Sequence, residues 1–562
     1  MRGRYSLIAL AICATTAWAQ PDPQTLVLES FIQSHVDLVR PLSEQSWNAY
    51  WQGATTGRPE AFELRKQADL RISRIYSDAN AFALLKGLRD GGTIQDPVLK
   101  RQLDKLYFLY LPRQTAPDLL ARIVTLDTQV QEAYNNYRAR MGDQTVTMSD
   151  IYTILTTDKD CARREQAWRA SKQVGGVIRD DFLALVRLRN ESARALGYEN
   201  YHSLSIAAYE QDKAEVDRIF KELDRLTEKP FTEMKAELDG LLARGYGIEP
   251  SQLRPWHYHD PFFQRTPLVY ELDLDAYYKG RDIKDLIQRY YAGVGLPVDD
   301  IIARSDLYDR EGKYPHAFSH EADREGDVRV LANLQDTERW AETALHEFGH
   351  AVYSKYHDRA KLPWLLREPA HSFTTEAAAM FFGRLSRNAD WMQCMLGLTD
   401  EQRNEVAKVS GRYLRAQQIL FARWSLVMYE FEKQLYANPD QDLDTLWWDL
   451  VERYQQIHRP ERLERAGWLS KLHFATAPCY YHNYLLGELL ASQWDHTLVT
   501  QVLGRTSNEG LGWCNDQRIG QYFKTRVFGP GALYPWEEMI RRSTGEPLTP
   551  KYFVTQFIHS PQ

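Results

Sequence analysis

Residues 346–350 read His-Glu-Phe-Gly-His, and their types and spacing could do chemistry at a metal ion. His346 and His350 are four positions apart, so on a helix both imidazoles lie on one face and can bind the same tetrahedral Zn²⁺. Glu347 would lie beside that ion, where it can take a proton from an attacking water. The pattern therefore predicts zinc-assisted hydrolysis. The alternative interpretation is an ordinary helix that happens to carry two histidines.

A catalytic zinc needs a third protein ligand and one open position. We expect Glu376 to be that ligand, because a Ser/Thr-rich entry and a following apolar run predict a second helix that can pack beside the first. Glu368 and His371 are the competing candidates. A glutamate near a helix start is otherwise an ordinary partner of the helix dipole, so the assignment depends on the upstream motif.

The residues around the motif predict the helix that positions it. Either Asp336 or Thr337 can cap its start, and apolar residues follow at helical spacing. Most of the chain shows the same spacing, and we predict helices over 117–142, 162–196, 214–244, 400–436 and 442–454. Residues 327–334 alternate instead and predict a strand just before the motif. The fold class is therefore mostly α, with a short β-strand element beside the active-site helix.

The composition is that of a large globular protein. The chain has 562 residues, of which 44% are hydrophobic and 26% charged. Because single cores stop growing near about 300 residues, we expect residues 20–562 to form one domain with two lobes and a cleft between them. The formal charge is -7 and no Lys/Arg cluster is present, which argues against nucleic-acid binding.

The first residues have the pattern of a secretory signal peptide. Arg2 and Arg4 precede an apolar run, and Ala17-Trp18-Ala19 supplies a cleavage pattern, so we expect residues 1–19 to be removed. No later segment approaches the roughly 18 apolar residues of a membrane span. The sequence therefore predicts a secreted or periplasmic protein without a transmembrane segment. Export permits disulfides, and the mature chain has four cysteines whose pairing stays open: Cys161, Cys394, Cys479 and Cys514.

Several local patterns, in order, resemble the peptidyl-dipeptidase family that includes angiotensin-converting enzyme, a family of gluzincin metallopeptidases. They are His316-Ala317, residues 327–329, the 346–350 motif, Leu366-Arg367-Glu368 ahead of Glu376, and Lys471-x-His473. Glu311-Gly312-Lys313-Tyr314 and residues 480–488 look as much like the thimet oligopeptidase and oligoendopeptidase group. The resemblance implies a mostly helical, two-lobed metallopeptidase with a deep central channel.

The resemblance also implies roles for residues outside the motif. Tyr484 and His473 would stabilise the tetrahedral intermediate, and Tyr481 with Lys471 would bind the C-terminal carboxylate of a peptide. His316, Ala317 and the strand over 327–333 would bind the substrate backbone by strand addition, with His320 a weaker candidate.

These roles predict an exported zinc-dependent peptidyl-dipeptidase that acts on short peptides. The alternatives are an oligo-endopeptidase on the same scaffold and an inactive binding protein with a peptidase fold. The sequence does not reveal the oligomeric state.

The chain departs from the family pattern at several positions. Asn483 stands where the converting enzyme has an arginine linked to chloride, so the resemblance does not extend to chloride activation. Met380 replaces a carboxylate that would orient a zinc-bound histidine, so the surroundings of the metal must be built differently. A glutamine that grips the substrate carboxylate is expected to be absent near Trp256, where Tyr258 stands instead. One extra residue before Tyr484 leaves the choice among the tyrosines at 480, 481 and 484 open.

Overall fold

The computed structural model describes residues 22–269 and 273–558 of the chain. Within these ranges the chain forms twenty-two α-helices and two sheets of two strands each, so the prediction of a mostly α fold is confirmed. The predicted signal peptide, residues 1–19, lies outside the described residues.

The first half of the chain contains helices α1 (Pro23–Thr56), α2 (Pro59–Tyr76), α3 (Ala79–Gly91), α4 (Pro97–Tyr110), α5 (Pro117–Asn136), α6 (Met148–Thr157), α7 (Cys161–Ala195), α8 (Tyr201–Ala208), α9 (Lys213–Tyr246), α10 (Asp275–Tyr278) and α11 (Ile283–Gly293). The second half contains α12 (Asp299–Arg304), α13 (Glu338–Lys355), α14 (Ser372–Gly383), α15 (Ala389–Leu396), α16 (Asp400–Ala437), α17 (Leu443–Gln455), α18 (His473–Thr476), α19 (His482–Thr497), α20 (Gln517–Tyr522), α21 (Trp536–Thr544) and α22 (Lys551–Phe557). The strands are β1 (Ala139–Met141), β2 (Gln144–Val146), β3 (Phe318–Glu321) and β4 (Val328–Leu331).

Four of the five long predicted helices form close to their predicted bounds, as α7, α9, α16 and α17. The fifth prediction, over 117–142, is wrong at its C-terminal end. Helix α5 ends at Asn136, and β1 pairs with β2 in an antiparallel hairpin closed by Gly142 and Asp143. A two-residue Gly-Asp turn between strands outweighs the apolar spacing that continues past the end of the helix.

Two large apolar clusters and two smaller ones hold the described helices together. The larger core involves α13, α14, α16 and α19 and surrounds the 346–350 motif. A separate cluster lies between the N-terminal helices α1, α3 and α4, where Leu28, Leu85 and Leu106 are fully buried. The two-lobed shape and the deep central channel stay predictions.

The short β element beside α13 has one covered edge and one open edge. Strand β4 pairs with β3 on one side, and its other side is covered by Asp306, which donates to the carbonyl of Val330 (3.0 Å) and accepts from the N–H of Ala332 (2.9 Å). Strand β3 packs against α13. Within the described part of the chain, the edge of β3 is therefore the one left for another chain.

Cys394 at the end of α15 forms a disulfide with Cys514, which the sequence alone could not pair. Cys161 and Cys479 are free thiols. None of the described helices has the length and apolar content that crossing a membrane requires.

Candidate metal centre

Helix α13 carries the motif, and the start of this helix is fixed by an N-cap residue. Thr337 is the N-cap and accepts a hydrogen bond from the N–H of Trp340 (3.3 Å), whereas Asp336 accepts from the N–H of Gly280 instead (2.7 Å). The apolar face of the helix is buried in the larger core through Ala344, Leu345, Phe348, Ala351 and Val352. Because that face is fixed, the side chains of the polar face must point to the opposite side.

Helices α13 and α14 cross at Gly349, which lies between the two histidines of the motif and directly precedes His350. A Cβ atom at Gly349 would lie 2.8 Å from the Cα of Ala379, so only glycine permits this approach. The crossing places Glu376 of α14 opposite both histidines. The helix that the sequence predicts for Glu376 forms as α14, with His371 as its N-cap.

The structure brings together the three residues predicted as zinc ligands. Nε2 of His346 lies 3.6 Å from one carboxylate oxygen of Glu376, and Nε2 of His350 lies 3.6 Å from the other. The three candidate ligand atoms all lie within 4.8 Å of one another. These separations are too long for hydrogen bonds, so the atoms converge without satisfying each other. Two imidazole nitrogens and one carboxylate oxygen form a donor set that suits zinc.

The ring of His350 is oriented by a neighbour of the third ligand. Thr375 Oγ1 lies 2.8 Å from His350 Nδ1, which leaves Nε2 as the atom directed at Glu376. A hydrogen bond to the far nitrogen is the usual way in which a metal-binding histidine is fixed. Thr375 therefore orients one histidine in a site that has Met380 where the family pattern has a carboxylate.

The electrostatic surroundings of the centre favour a cation. Burial raises the pKa of Glu347 to about 7 and holds the pKa of His350 well below its usual value. Burial opposes protonation of His346, but the carboxylates of Glu376 and Glu347 outweigh it and raise the pKa. Glu342, one turn earlier on α13, adds a further buried carboxyl group. Several carboxyl groups around two imidazoles suit a divalent metal ion.

The two competing ligand candidates are engaged elsewhere. Glu368 binds Lys105 (2.6 Å) and Arg324 (2.8 Å); burial alone would raise its pKa, but these two cations hold it at about 2. His371 accepts the N–H of Phe373 as the cap of α14 (3.1 Å). Neither side chain belongs to the group formed by Glu376 and the two histidines.

We call His346, His350 and Glu376 the metal group. A cleft of about 430 Å³ opens over these residues, and β3 forms one wall of it. Ala317, Phe318 and His320 line this cleft, whereas His316 is exposed and packs on Tyr314. The N–H of Ser319 donates a hydrogen bond to the Glu347 carboxylate. Strand β3 is thereby tied to Glu347, the residue predicted as the general base.

The prediction that the strand over 327–333 offers an edge to the substrate is wrong. Both edges of β4 are used, by β3 and by Asp306. Ala322 donates inward to Asp327 (3.0 Å), and inward and outward groups alternate along an antiparallel pair. The backbone groups of Ser319 and Glu321 therefore face the open edge of β3.

Helix α19 brings the tyrosine segment up to α14. A Cβ atom at Gly487 would lie 3.4 Å from the carbonyl oxygen of Phe373, so the helices approach closely on that face. Tyr484 is one turn earlier on the same face. Burial, with the nearby Glu376 carboxylate, raises the pKa of Tyr484 to about 12.

The tyrosines and His473 form one aromatic cluster. The His473 ring lies 5.0 Å from that of Tyr481 and 6.2 Å from that of Tyr484. The hydroxyl of Tyr480 is hydrogen-bonded to Ser372, and that of Tyr481 accepts from Trp424 Nε1 (2.8 Å). The described residues provide no hydrogen-bond partner for the Tyr484 hydroxyl, which is half-buried.

Lys471 is buried beside Tyr481 and forms no ion pair within the described part of the chain. Its Nζ donates to Gln264 Oε1 (2.5 Å) and lies 5.4 Å and 5.1 Å from the ring centres of Trp424 and Tyr481. No carboxylate of the described residues forms an ion pair with it, and burial lowers the pKa of Lys471 to about 8. Tyr258 stands where the resemblance led us to expect a glutamine near Trp256, and the amide that contacts Lys471 comes instead from Gln264, 207 positions away in the chain.

Asn483 occupies a neutral, buried position. Its Oδ1 accepts from Gln211 Nε2 (2.8 Å), and Gln211 Oε1 pairs with the ring of His482 (2.7 Å). Burial holds the pKa of His482 well below its usual value, so this ring carries no charge near neutral pH. Asn483 therefore gives this position no positive charge, whereas the family pattern has an arginine here.

Sequence reasoning missed three residues of the centre: Ser319, Thr375 and Gln264. Thr375 had a local signal, because it directly precedes the proposed third ligand and could have been considered as its support. Ser319 and Gln264 had none, since their roles come from contacts with residues far along the chain.

Comparison with known proteins relates each half of the chain to a different metallopeptidase family. The family model described as angiotensin-converting enzyme matches residues 23–247, and that described as carboxypeptidase Taq (M32) metallopeptidase matches residues 308–560. Thermostable carboxypeptidase 1 of Pyrococcus furiosus is 21% identical over 420 residues, 69% of this chain and 75% of that protein. Carboxypeptidase 1 of Bacillus subtilis is 25% identical over 263 residues, 42% of this chain and 51% of that protein.

These matches confirm the predicted resemblance to gluzincin-like metallopeptidases. Such families imply a divalent metal and peptide substrates. The second match contains the 346–350 motif and the third ligand candidate, Glu376.

Proposed function

We propose that this protein is a zinc peptidyl-dipeptidase that removes dipeptides from the free C-terminus of short peptides. The observation that carries the proposal is the buried ammonium of Lys471, which has no carboxylate partner among the described residues. A buried cation without a counter-ion is costly, and a substrate carboxylate would supply the missing charge. The Tyr481 ring lies 5.1 Å from this ammonium and 5.4 Å from the Tyr484 ring, and the Glu376 carboxylate helps to raise the pKa of Tyr484, so two tyrosines connect the lysine with the predicted metal ligands.

Zinc would be held by His346, His350 and Glu376. When bound, zinc supplies Lewis-acid chemistry, polarising a carbonyl oxygen and promoting loss of a proton from water. Glu347 takes that proton, and its pKa of about 7 suits a general base at neutral pH. The N–H of Ser319 holds the Glu347 carboxylate beside the open edge of β3, where the substrate backbone would lie.

The aromatic cluster supplies donors at two positions. Tyr484 has a hydroxyl with no internal partner among the described residues and is the candidate donor to the oxyanion, with His473 beside it. Trp424 already donates to the Tyr481 oxygen, so the Tyr481 hydroxyl hydrogen is left for an acceptor such as the terminal carboxylate. Ala317 and His316 would contact the substrate at the start of β3.

A metallocarboxypeptidase that releases single residues is the second candidate. It is favoured by the names of the two relatives, both called carboxypeptidase, and by the match of the C-terminal half. An oligo-endopeptidase would not need the grip at Lys471, and an inactive binding protein would not need Glu347. Both stay alternatives that product analysis and metal analysis separate.

The deciding experiment compares the products from one decapeptide with a free C-terminus and the same peptide amidated. Dipeptide release from the free acid alone is expected, because truncating one member of a buried charge pair costs about 2 to 5 kcal/mol. Single amino acids would favour the carboxypeptidase, and equal internal cleavage of both peptides would contradict any exopeptidase.

Two lysine variants complete that experiment. Lys471→Ala is expected to lose activity on the free acid and hardly change cleavage of the amide, because both changes remove the same interaction. Lys235→Ala is the matched control: this buried lysine already pairs with Asp239, so its loss is expected to lower stability without changing discrimination between the peptides.

Export to an oxidising compartment is also part of the proposal. The disulfide between Cys394 and Cys514 supports it, since such bonds persist in secreted and periplasmic proteins. N-terminal sequencing of the protein purified from its native host is expected to begin at Gln20.

A further inference from the structure

A buried aspartate lies behind the lysine of the proposed carboxylate grip. Asp260 is only 3% exposed. One of its oxygens accepts the backbone N–H groups of Phe262 (2.8 Å) and Gln264 (3.3 Å), and the other accepts Gln264 Nε2 (3.3 Å). The first oxygen fixes the local turn. The second is directed at a side chain, which a purely structural turn does not require.

The chemistry of the three groups allows one orientation of the Gln264 amide. A carboxylate only accepts hydrogen bonds, and an ammonium only donates them. The amide therefore turns its NH₂ group to Asp260 and its oxygen to Lys471, as observed. The three side chains form a directed relay from a buried anion, through a neutral amide, to a buried cation.

We propose that Asp260 is a positioning residue for substrate recognition: it sets the orientation of the Gln264 amide, and Gln264 in turn holds the ammonium of Lys471 where a substrate carboxylate meets it. This inference rests on the proposed exopeptidase function. Asp260 does not itself touch the substrate and acts only through Gln264.

The charges around Lys471 give Asp260 a second effect. Burial lowers the pKa of Lys471, Arg265 lowers it further, and Asp260 raises it. Lys172 and His473 also lie close enough to interact with Lys471, and neither supplies a negative charge. Asp260 is the one carboxylate that acts on this lysine among its described neighbours, so it keeps the lysine protonated at neutral pH.

Replacement of Asp260 by asparagine tests the relay while preserving the turn. The oxygen of the new amide can still accept the two backbone N–H groups, but its NH₂ group then faces the NH₂ group of Gln264. The Gln264 amide must rotate and present a donor to Lys471. We expect the KM for a free-acid peptide to rise about ten- to hundredfold, the range for a lost hydrogen bond to a charged group, with kcat and amide cleavage little changed.

A second substitution is expected to restore the relay. In Asp260→Asn with Gln264→Glu, the new carboxylate accepts both from the new amide at position 260 and from Lys471; because it also pairs with the ammonium directly, the KM should return only part of the way toward that of the wild type. Gln264→Glu alone places two carboxylates together, so its KM for the free-acid peptide should differ from that of the double variant. Asp390→Asn, which removes a partly buried carboxylate that binds Arg403 and a backbone N–H far from this site, is the control and should leave the KM unchanged.

The titration of Lys471, followed by NMR with labelled lysine and assigned with Lys471→Arg, gives a readout that needs no peptide. The pKa is expected near 8 in the wild type, lower in Asp260→Asn and restored in the double variant. An unchanged KM and titration in Asp260→Asn would overturn the proposal, as would an equal loss on free and amidated peptides without rescue. A wild type that does not distinguish the peptides would instead overturn the exopeptidase function, and the titration alone would then decide whether Asp260 controls Lys471.

Discussion

The Cβ position of Gly349 on α13 lies 2.8 Å from the Cα of Ala379 on α14, so the two helices touch at their backbones. Gly349 lies between the two candidate histidine ligands, and Ala379 is three residues after Glu376 on α14. This contact fixes the separation of the helices that carry the three ligands. The metal group therefore depends on a glycine that binds nothing itself.

Gly349→Ala is expected to weaken metal binding. The new methyl group meets backbone atoms that cannot move aside, and overpacking costs about 1 to 3 kcal/mol, more than the gain of up to about 1 kcal/mol in helix propensity. Zinc titration should show a lower affinity, and urea unfolding a lower stability. Gly411→Ala on α16, where a Cβ meets nothing within 4 Å, is the control and should be neutral or stabilising.

Local spacing predicted the parts of this site that lie within one turn of one helix. The His346 and His350 pair follows from a four-residue interval, and α13 forms where the apolar pattern places it. The long helices were predictable for the same reason.

Contacts between distant residues were not predictable. Gln264 meets Lys471 across 207 positions, and Cys394 meets Cys514 across 120. These pairs depend on how whole helices pack, which no local pattern records. The edge of β4 was misassigned for the same reason, because the segment around Asp306 that covers it has no strand pattern of its own.

Glu347→Gln is expected to keep zinc and lose activity. The three ligands are untouched, but the amide cannot accept the proton of the attacking water, and general bases typically contribute about 10²- to 10⁴-fold. Peptidase assays on protein of measured zinc content check this. Near-normal turnover by the zinc-loaded variant would contradict the role of Glu347.

Glu376→Ala and Glu368→Ala are expected to fail in different ways. Loss of Glu376 removes a ligand and should lower zinc content, whereas loss of Glu368 leaves Lys105 and Arg324 without a shared partner. The second variant should bind zinc normally but unfold about 2 kcal/mol more easily, the range for hydrogen bonds between charged groups. Metal analysis and urea unfolding of both proteins separate the roles. Full zinc occupancy in Glu376→Ala would return the ligand question to Glu368 or His371.

Activity is expected to be independent of chloride. Asn483 is buried and bonded to Gln211, and the adjacent His482 ring is neutral, so this position offers no charge to an anion. The rate should stay constant when acetate is replaced by chloride at fixed ionic strength. A clear activation would mean that an anion binds elsewhere in the protein.

Glu432 on α16 anchors the turn that precedes the tyrosine segment. It is buried and accepts the N–H of Cys479 (2.7 Å), a residue that adopts a left-handed backbone with φ 57°. Burial raises the pKa of Glu432 from 4.5 to about 8. The folded protein therefore keeps the proton on Glu432 at pH values where the unfolded chain has lost it.

The sign of the resulting pH dependence follows from that difference. The contribution of Glu432 to stability is fully present below pH 4.5, falls as the unfolded chain ionises, and is lost as the pH rises through about 8. Glu432→Gln keeps an oxygen for the Cys479 N–H but does not titrate. Relative to the wild type, this variant should gain stability as the pH rises between about 5 and about 8, by at most about 1.4 kcal/mol per pH unit. Urea unfolding across this range measures the difference. Glu401→Gln, at an exposed position on the same helix, is the control. Parallel curves of stability against pH for Glu432→Gln and the wild type would show that Glu432 is ionised in the folded protein.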